Sequence, residues 1–504
     1  MLKLFRAGKP EHPMADPKEA RRLLDGLPPQ EVFKSLEELA HWMESVGAAD
    51  GFKPESRIQL LFNLDEAAQP RIRKISREYL AAARPSRFQE NRIWTHVYEY
   101  YRQAGRAYGL AIDSILQGAK GADAAAALLP LLVVRALRTL AQQVKWLCLR
   151  YGPIDPALWR LINSIYAFAE ARGIAAASVA AVYAGVTGGS TPRAEFLRAV
   201  LLSVSSPDSL LPPEIDIAER LIADFAADFS LASAPGPGLS YWTDLGQALP
   251  PQRLSKPPQA GIGLRFVGAG ASLPAMEKLA QRIEGSGQIP SGALAGATDQ
   301  PDTVLDVARH LMLYWSPTAP ERKHKRHSVK SRLSIVHGFA SLAGVLHGST
   351  AWADSAAEPE NWIVENVSAG GFGAVVPQGN GDWLKLGALI AMQPDGGNNW
   401  VVGMIRRVTR ISAQEARVGI ETLSRAPEVV RFTVSGEAEE GVLLPSAGIG
   451  TGETAIALRA GLFASGRNLE IDRAGRSYVY MPQRIAEHGD DYDIARYREM
   501  VREG

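Results

Sequence analysis

Arg322-Lys-His-Lys-Arg326 stands just ahead of a strand-like run, and Asn366-Val-Ser368-Ala-Gly-Gly371 closes another such run 40 residues later. Around them the apolar period is two, where the earlier chain has spacings of three and four. Leu333-Ser-Ile-Val-His337, Trp362-Ile-Val-Glu365, Gly373-Ala-Val-Val376 and residues 386–392, 400–408 and 417–422 all read as strands. Six short strands in about a hundred residues, separated by Gly, Asp and Asn turns, predict a small closed or nearly closed barrel. From about residue 428 the spacing predicts further strands at 430–434, 441–444, 455–458 and 477–480, then a short charged helix over about 490–502.

The two quoted segments carry the chemistry. An arginine can hold guanine O6 and N7 with two parallel hydrogen bonds, stack on a base, or pair with phosphate. Arg322 and Arg326, four apart on a loop, can wrap a compact doubly charged ligand, and Lys323, His324 and Lys325 add positive potential. Asn366 and Ser368 are two apart on a strand and therefore share a face. Their amide and hydroxyl can bond a guanine edge or a phosphate oxygen. Gly371 permits a positive φ or a close backbone approach.

In order, spacing and residue type, Arg322, Arg326, Asn366, Ser368 and Gly371 resemble the two ligand signatures of the PilZ domain, over roughly residues 318–425. The resemblance implies a small antiparallel β-barrel that binds cyclic di-GMP, with Lys323, Lys325 and Arg406 as further candidate contacts. Many members have Asp where this chain has Asn366. A long helical part ahead of such a barrel is similar to large bacterial receptors that couple the nucleotide to surface attachment and pilus function.

The first ~230 residues read as helices at about 29–47, 55–83, 88–118, 122–151, 155–173, 193–205 and 213–230. An earlier helix starts at Asp16-Pro17, with Asp16 as N-cap, and Pro70 is expected to kink or split the third of the long ones. Ile93, Val97, Tyr100, Tyr101, Ala104 and Tyr108 form an aromatic stripe read as core. Ala234-Pro-Gly-Pro-Gly238 is a linker. Beyond it a strand near 262–267 and helices near 273–284 and 301–314 are expected. The fold class is thus multidomain α+β, divided as 1–233 helical, 240–318 mixed, 319–426 barrel and 427–504 β-rich.

Composition narrows the function. A formal net charge of +1 gives no broad field for nucleic acid, and no aromatic platform is interleaved with the short basic run. One cysteine, Cys148, excludes an internal disulfide framework. The N-terminus lacks a secretory apolar stretch, and the longest apolar run, 124–134, is broken by Pro130 and too short to cross a bilayer. A cytoplasmic protein without membrane insertion is expected. No catalytic signature stands out, and His324, His327 and His337 lack carboxylate or cysteine companions for a metal. The expected function is a non-enzymatic cyclic di-GMP receptor without cofactor or metal. It would relay the signal to a protein partner through the helical half, with surface attachment, pilus, motility or exopolysaccharide as output. The alternative is an interaction scaffold with a degenerate, non-binding barrel.

Overall fold

The computed structural model describes residues 10–81, 86–185, 188–256, 258–290, 294, 299–318, 320, 324–347, 359–377, 383–412, 414–445, 453–473 and 475–501. The chain divides into two compact units. The first runs to Pro320, apart from Tyr151–Pro153 and Asp208–Leu210, which belong with the second, Glu321–Gly504.

The first unit is helical: α1 (Pro17–Asp25), α2 (Val32–Ala48), α3 (Pro54–Leu80), α4 (Arg87–Leu116), α5 (Leu129–Cys148), α6 (Pro156–Ala171), α7 (Pro192–Val204) and α8 (Pro212–Asp224). A small antiparallel sheet follows, β1 (Ser230–Ala232), β2 (Leu239–Asp244), β3 (Gln252–Arg253) and β4 (Leu264–Gly268), in the order β1-β4-β2-β3. Helices α9 (Ser272–Ser286) and α10 (Pro301–Trp315) complete the unit. Pro17, Pro54, Pro156, Pro192, Pro212 and Pro301 each open a helix, where the missing N–H costs nothing and φ is already helical. Asp16 accepts from the backbone N–H of Lys18 and Glu19 at 2.8 and 3.2 Å, as its N-cap position predicts.

Pro70 does not split its helix. It lies on the exposed face of α3, where a carbonyl without its donor meets water, and Arg71 Nη1 donates to the Ala67 carbonyl at 2.8 Å beside the gap. The stretch Asp123–Cys148 is long and apolar enough to cross a membrane, contrary to the estimate from its apolar run alone. In this fold it is a 3₁₀ turn leading into α5, whose Leu132, Val133, Ala136, Leu140 and Val144 are buried in the helical core.

That core also holds charge. Asp65, fully buried on α3, accepts from the hydroxyls of Tyr100 (2.9 Å), Tyr108 (2.8 Å) and Tyr183 (3.2 Å) and from the Gln69 amide (2.8 Å). The aromatic stripe of α4 is therefore core, as its spacing implies, and is organised around one carboxylate. Burial, then the charge of Asp65, holds all three phenols well above their ordinary pKa. A second network links α5, α7 and α8: Arg138 to Glu195 (2.5 Å), Glu195 to Arg198 (3.2 Å), Arg198 to Glu219, and Glu219 to Lys145 (3.3 Å). It continues from Lys145 to Asp216 (2.5 Å), Asp216 to Arg220 (2.9 Å), and Arg220 to Asp299 (2.8 Å).

The second unit holds β5 (His327–His337), α11 (Phe339–Leu346), β6 (Glu360–Ser368), β7 (Gly371–Pro377), β8 (Leu389–Pro394), β9 (Val401–Arg410) and β10 (Glu415–Ser424). Its six strands close into an antiparallel barrel in the order β10-β7-β6-β5-β8-β9. After it come β11 (Glu428–Val434), β12 (Glu437–Leu444), β13 (Glu453–Arg459), β14 (Leu469–Arg473), β15 (Arg476–His488) and β16 (Tyr492–Val501), an antiparallel sheet ordered β11-β12-β13-β16-β15-β14. Leu389, Ala391, Val402 and Met404 of the barrel share one core with α11 and with Val442, Ala457, Tyr492 and Ile494 of this sheet.

The expected tail helix at 490–502 is instead β16, a central strand paired to both β13 and β15. Its charges satisfy a helical pattern locally, but Tyr492, Ile494 and Tyr497 are buried only in the extended form. Strand β14 and helix α11 were not anticipated. The α11 N-terminus receives its cap from far along the chain: Phe339 N–H donates to Asp491 Oδ2 at 2.6 Å.

Candidate functional site

The two sequence segments meet at one rim of the barrel. Strand β5 begins at His327, which pairs with Val367, and Ser328 pairs with Asn366. Asn366 and Ser368 then face Gly373 and Gly371 across β7. Residues 324–326, exposed and directly ahead of β5, thus enter beside the strand carrying Asn366 and Ser368. Arg322 and Lys323 lie outside the described residues. Lys325 and Arg326 are exposed, and His324 reaches the β6–β7 turn: a Cβ on Gly370 would come within 2.8 Å of His324 Cδ2.

Each polar residue of the second segment has a definite setting. The Asn366 amide lies over Gly373, where a Cβ would stand 2.6 Å from Nδ2 and 2.8 Å from Oδ1. Among the described residues nothing hydrogen-bonds that amide. Ser368 Oγ donates to the Gly371 carbonyl at 3.2 Å, closing the four-residue turn. Gly371 serves a close backbone approach, one of the two roles expected of it. Its neighbour there is β10, since a Cβ would be 1.9 Å from the Ile420 carbonyl oxygen.

Arg406 lies on β9. It occupies a bulge in β9, between the pairs Ile405–Ile420 and Arg407–Gly419. Its guanidinium is held by Glu421 at 2.7 Å and Glu487 at 2.5 Å. Burial opposes its charge, yet the hydrogen bonds and charges of Glu487 and Glu421 leave its pKa raised. The structure therefore ties Arg406 both to Glu421, which pairs with Gly371 across β10 and β7, and to Glu487 of the second sheet.

Sequence reasoning passed over Arg425, whose Nη2 donates to the Ala369 carbonyl at the apex of the turn (2.9 Å). Thr422 N–H donates to the adjacent Gly370 carbonyl at 3.0 Å. No local signal marks Arg425, because it follows β10, some 55 residues from the turn it touches.

At the opposite rim His337 stacks on Trp383 (4.1 Å, 5°), which stacks on Trp362 (5.6 Å, 8°), and Glu360 accepts from both indoles at 3.1 Å. Burial lowers the His337 pKa, against the pull of Glu360 and Asp491. Among the described residues no three metal-ligating side chains converge.

Residues 18–236 match the family described as the cyclic-di-GMP receptor FimW, N-terminal domain. The match runs from the first turn of α1 to the Pro-Gly linker after β1; the barrel lies outside it. No curated protein matches the chain.

Proposed function

We propose that this chain is a non-enzymatic, cytoplasmic receptor for cyclic di-GMP whose ligand site is the hairpin rim of a PilZ-type barrel. The observation that carries the reading is the convergence of residues 324–326, Asn366 and the 368–371 turn at one rim, although they lie 40 residues apart in sequence. The similarity of the helical half to the N-terminal domain of a cyclic di-GMP receptor family supports it independently.

In this reading Arg322 and Arg326 take phosphate and guanine contacts, with Lys323 and Lys325 adding charge. Asn366, already lying open over Gly373, reads the second guanine edge with Ser368. Binding changes what the receptor presents to a protein partner of the helical half. Pilus, motility, attachment and exopolysaccharide outputs are the candidates for that partner's pathway.

The test is calorimetric titration of the whole chain with cyclic di-GMP, beside GTP and cyclic di-AMP. Selective binding that disappears in Arg326→Ala is expected. Absence of heat, with no rise in melting temperature at a hundredfold excess over any useful Kd, where about 2.7 kcal/mol of stabilisation is due, returns the barrel to a scaffold role.

A further inference from the structure

We infer that Arg425 is a third arginine of the ligand site, holding the anionic dinucleotide from the side of the turn opposite the basic loop. The inference rests on the receptor reading above and adds a residue that reading does not contain. Three observations carry it. Arg425 is exposed and anchored by one N–H to the Ala369 carbonyl, at the apex of the turn that holds Ser368 and Gly371. An arginine has five N–H donors, so this bond fixes the guanidinium in place while leaving its fork available.

Second, its anchor is neutral. Among the described residues the one hydrogen-bond partner of its guanidinium is a backbone carbonyl, and no carboxylate pairs with Arg425. Its charge therefore stays uncompensated at the rim. Third, the other flank of the turn is also basic: His324 packs against Gly370, with Lys325 and Arg326 exposed beside it. A turn with cations on both sides suits a ligand with two separate phosphates better than one with a single anionic end.

The experiment is titration of the full chain with cyclic di-GMP at two ionic strengths, using wild type, Arg326→Ala, Arg425→Gln and Arg425→Lys. Gln keeps a donor for the Ala369 carbonyl and removes the charge; Lys keeps the charge and loses the fork. Arg425→Gln is expected to weaken binding at least tenfold with an unchanged ligand-free melting temperature and a shallower salt dependence. Arg425→Lys should fall between it and wild type. Wild-type affinity and salt dependence in Arg425→Gln, with Arg326→Ala inactive, would overturn the role of Arg425 and leave the receptor standing. So would an affinity loss that only tracks a lowered ligand-free melting temperature, since that marks a turn staple. No binding by wild type removes the receptor reading itself.

Discussion

The helical core and the barrel rim treat charge in opposite ways. In the core, Asp65 is surrounded by four donors, and four acids alternate with four bases from Arg138 to Asp299. At the rim, Lys325 and Arg425 are exposed and the Asn366 amide is unsatisfied among the described residues. Buried charge must be matched, because desolvation would otherwise cost several kcal/mol per ion. Exposed charge needs no match, and its unused hydrogen-bonding capacity is what a ligand can take up. A polar group's completeness of pairing thus separates groups that hold the fold from groups that could bind.

Substitutions should separate the two regions, ordered by their cost to the fold. Asp65→Ala leaves three buried phenols and an amide without their acceptor, so urea unfolding should show a loss of about 3–5 kcal/mol. A loss under about 1 kcal/mol would mean that the pairing is not what holds the core.

Glu219 comes next. Burial pushes its carboxyl up, but Arg198 and Lys145 pull it down to about 2, from an ordinary 4.5. Its folded pKa is depressed, so its stabilisation is complete above about pH 4.5 and is lost as pH falls toward 2. Glu219→Gln should unfold more readily at pH 7, by about 3 kcal/mol, and its disadvantage should shrink as wild type is acidified through that window. A pH-independent difference would contradict the assignment.

At the rim the two glycines give a sharper contrast. Gly371→Ala drives a Cβ into the Ile420 carbonyl and should cost the barrel about 2 kcal/mol by parting β7 from β10. Gly373→Ala meets a movable amide, so melting should shift little while cyclic di-GMP affinity falls as Asn366 is displaced. Equal melting shifts in the two would remove the distinction between a strand contact and a ligand contact. Smallest of all, Arg326→Ala should change ligand-free stability by less than about 0.5 kcal/mol while reducing affinity about a hundredfold. A stability loss comparable to that of Asp65→Ala would place Arg326 with the core charges instead.

Much of this architecture was legible along the chain because its causes are local. Proline at the first helical turn and Asp16 as N-cap mark helix starts, and alternation such as Leu333-Ser-Ile-Val marks the barrel strands. The basic loop and the Asn-x-Ser-x-x-Gly turn could be singled out because their residue types, order and spacing resemble the PilZ signatures. The closure of β9 onto β10 followed only loosely, since it depends on curvature summed over six strands.

What tertiary structure alone decided is pairing between residues far apart. Residues 490–502 have the charges of a surface helix, and only the open places between β13 and β15 make them a strand. Asp491 caps a helix 152 residues away, Asp65 gathers hydroxyls from α4 and from Tyr183, and Arg425 grips a turn from the far end of β10. The sequence by itself determined the helical half, the β-rich half and the candidate binding segments, because propensity, period and donor type act over a few residues. Which charges are neutralised and which stay open was decided by the fold, because burial and partner distance exist only once the chain has closed on itself.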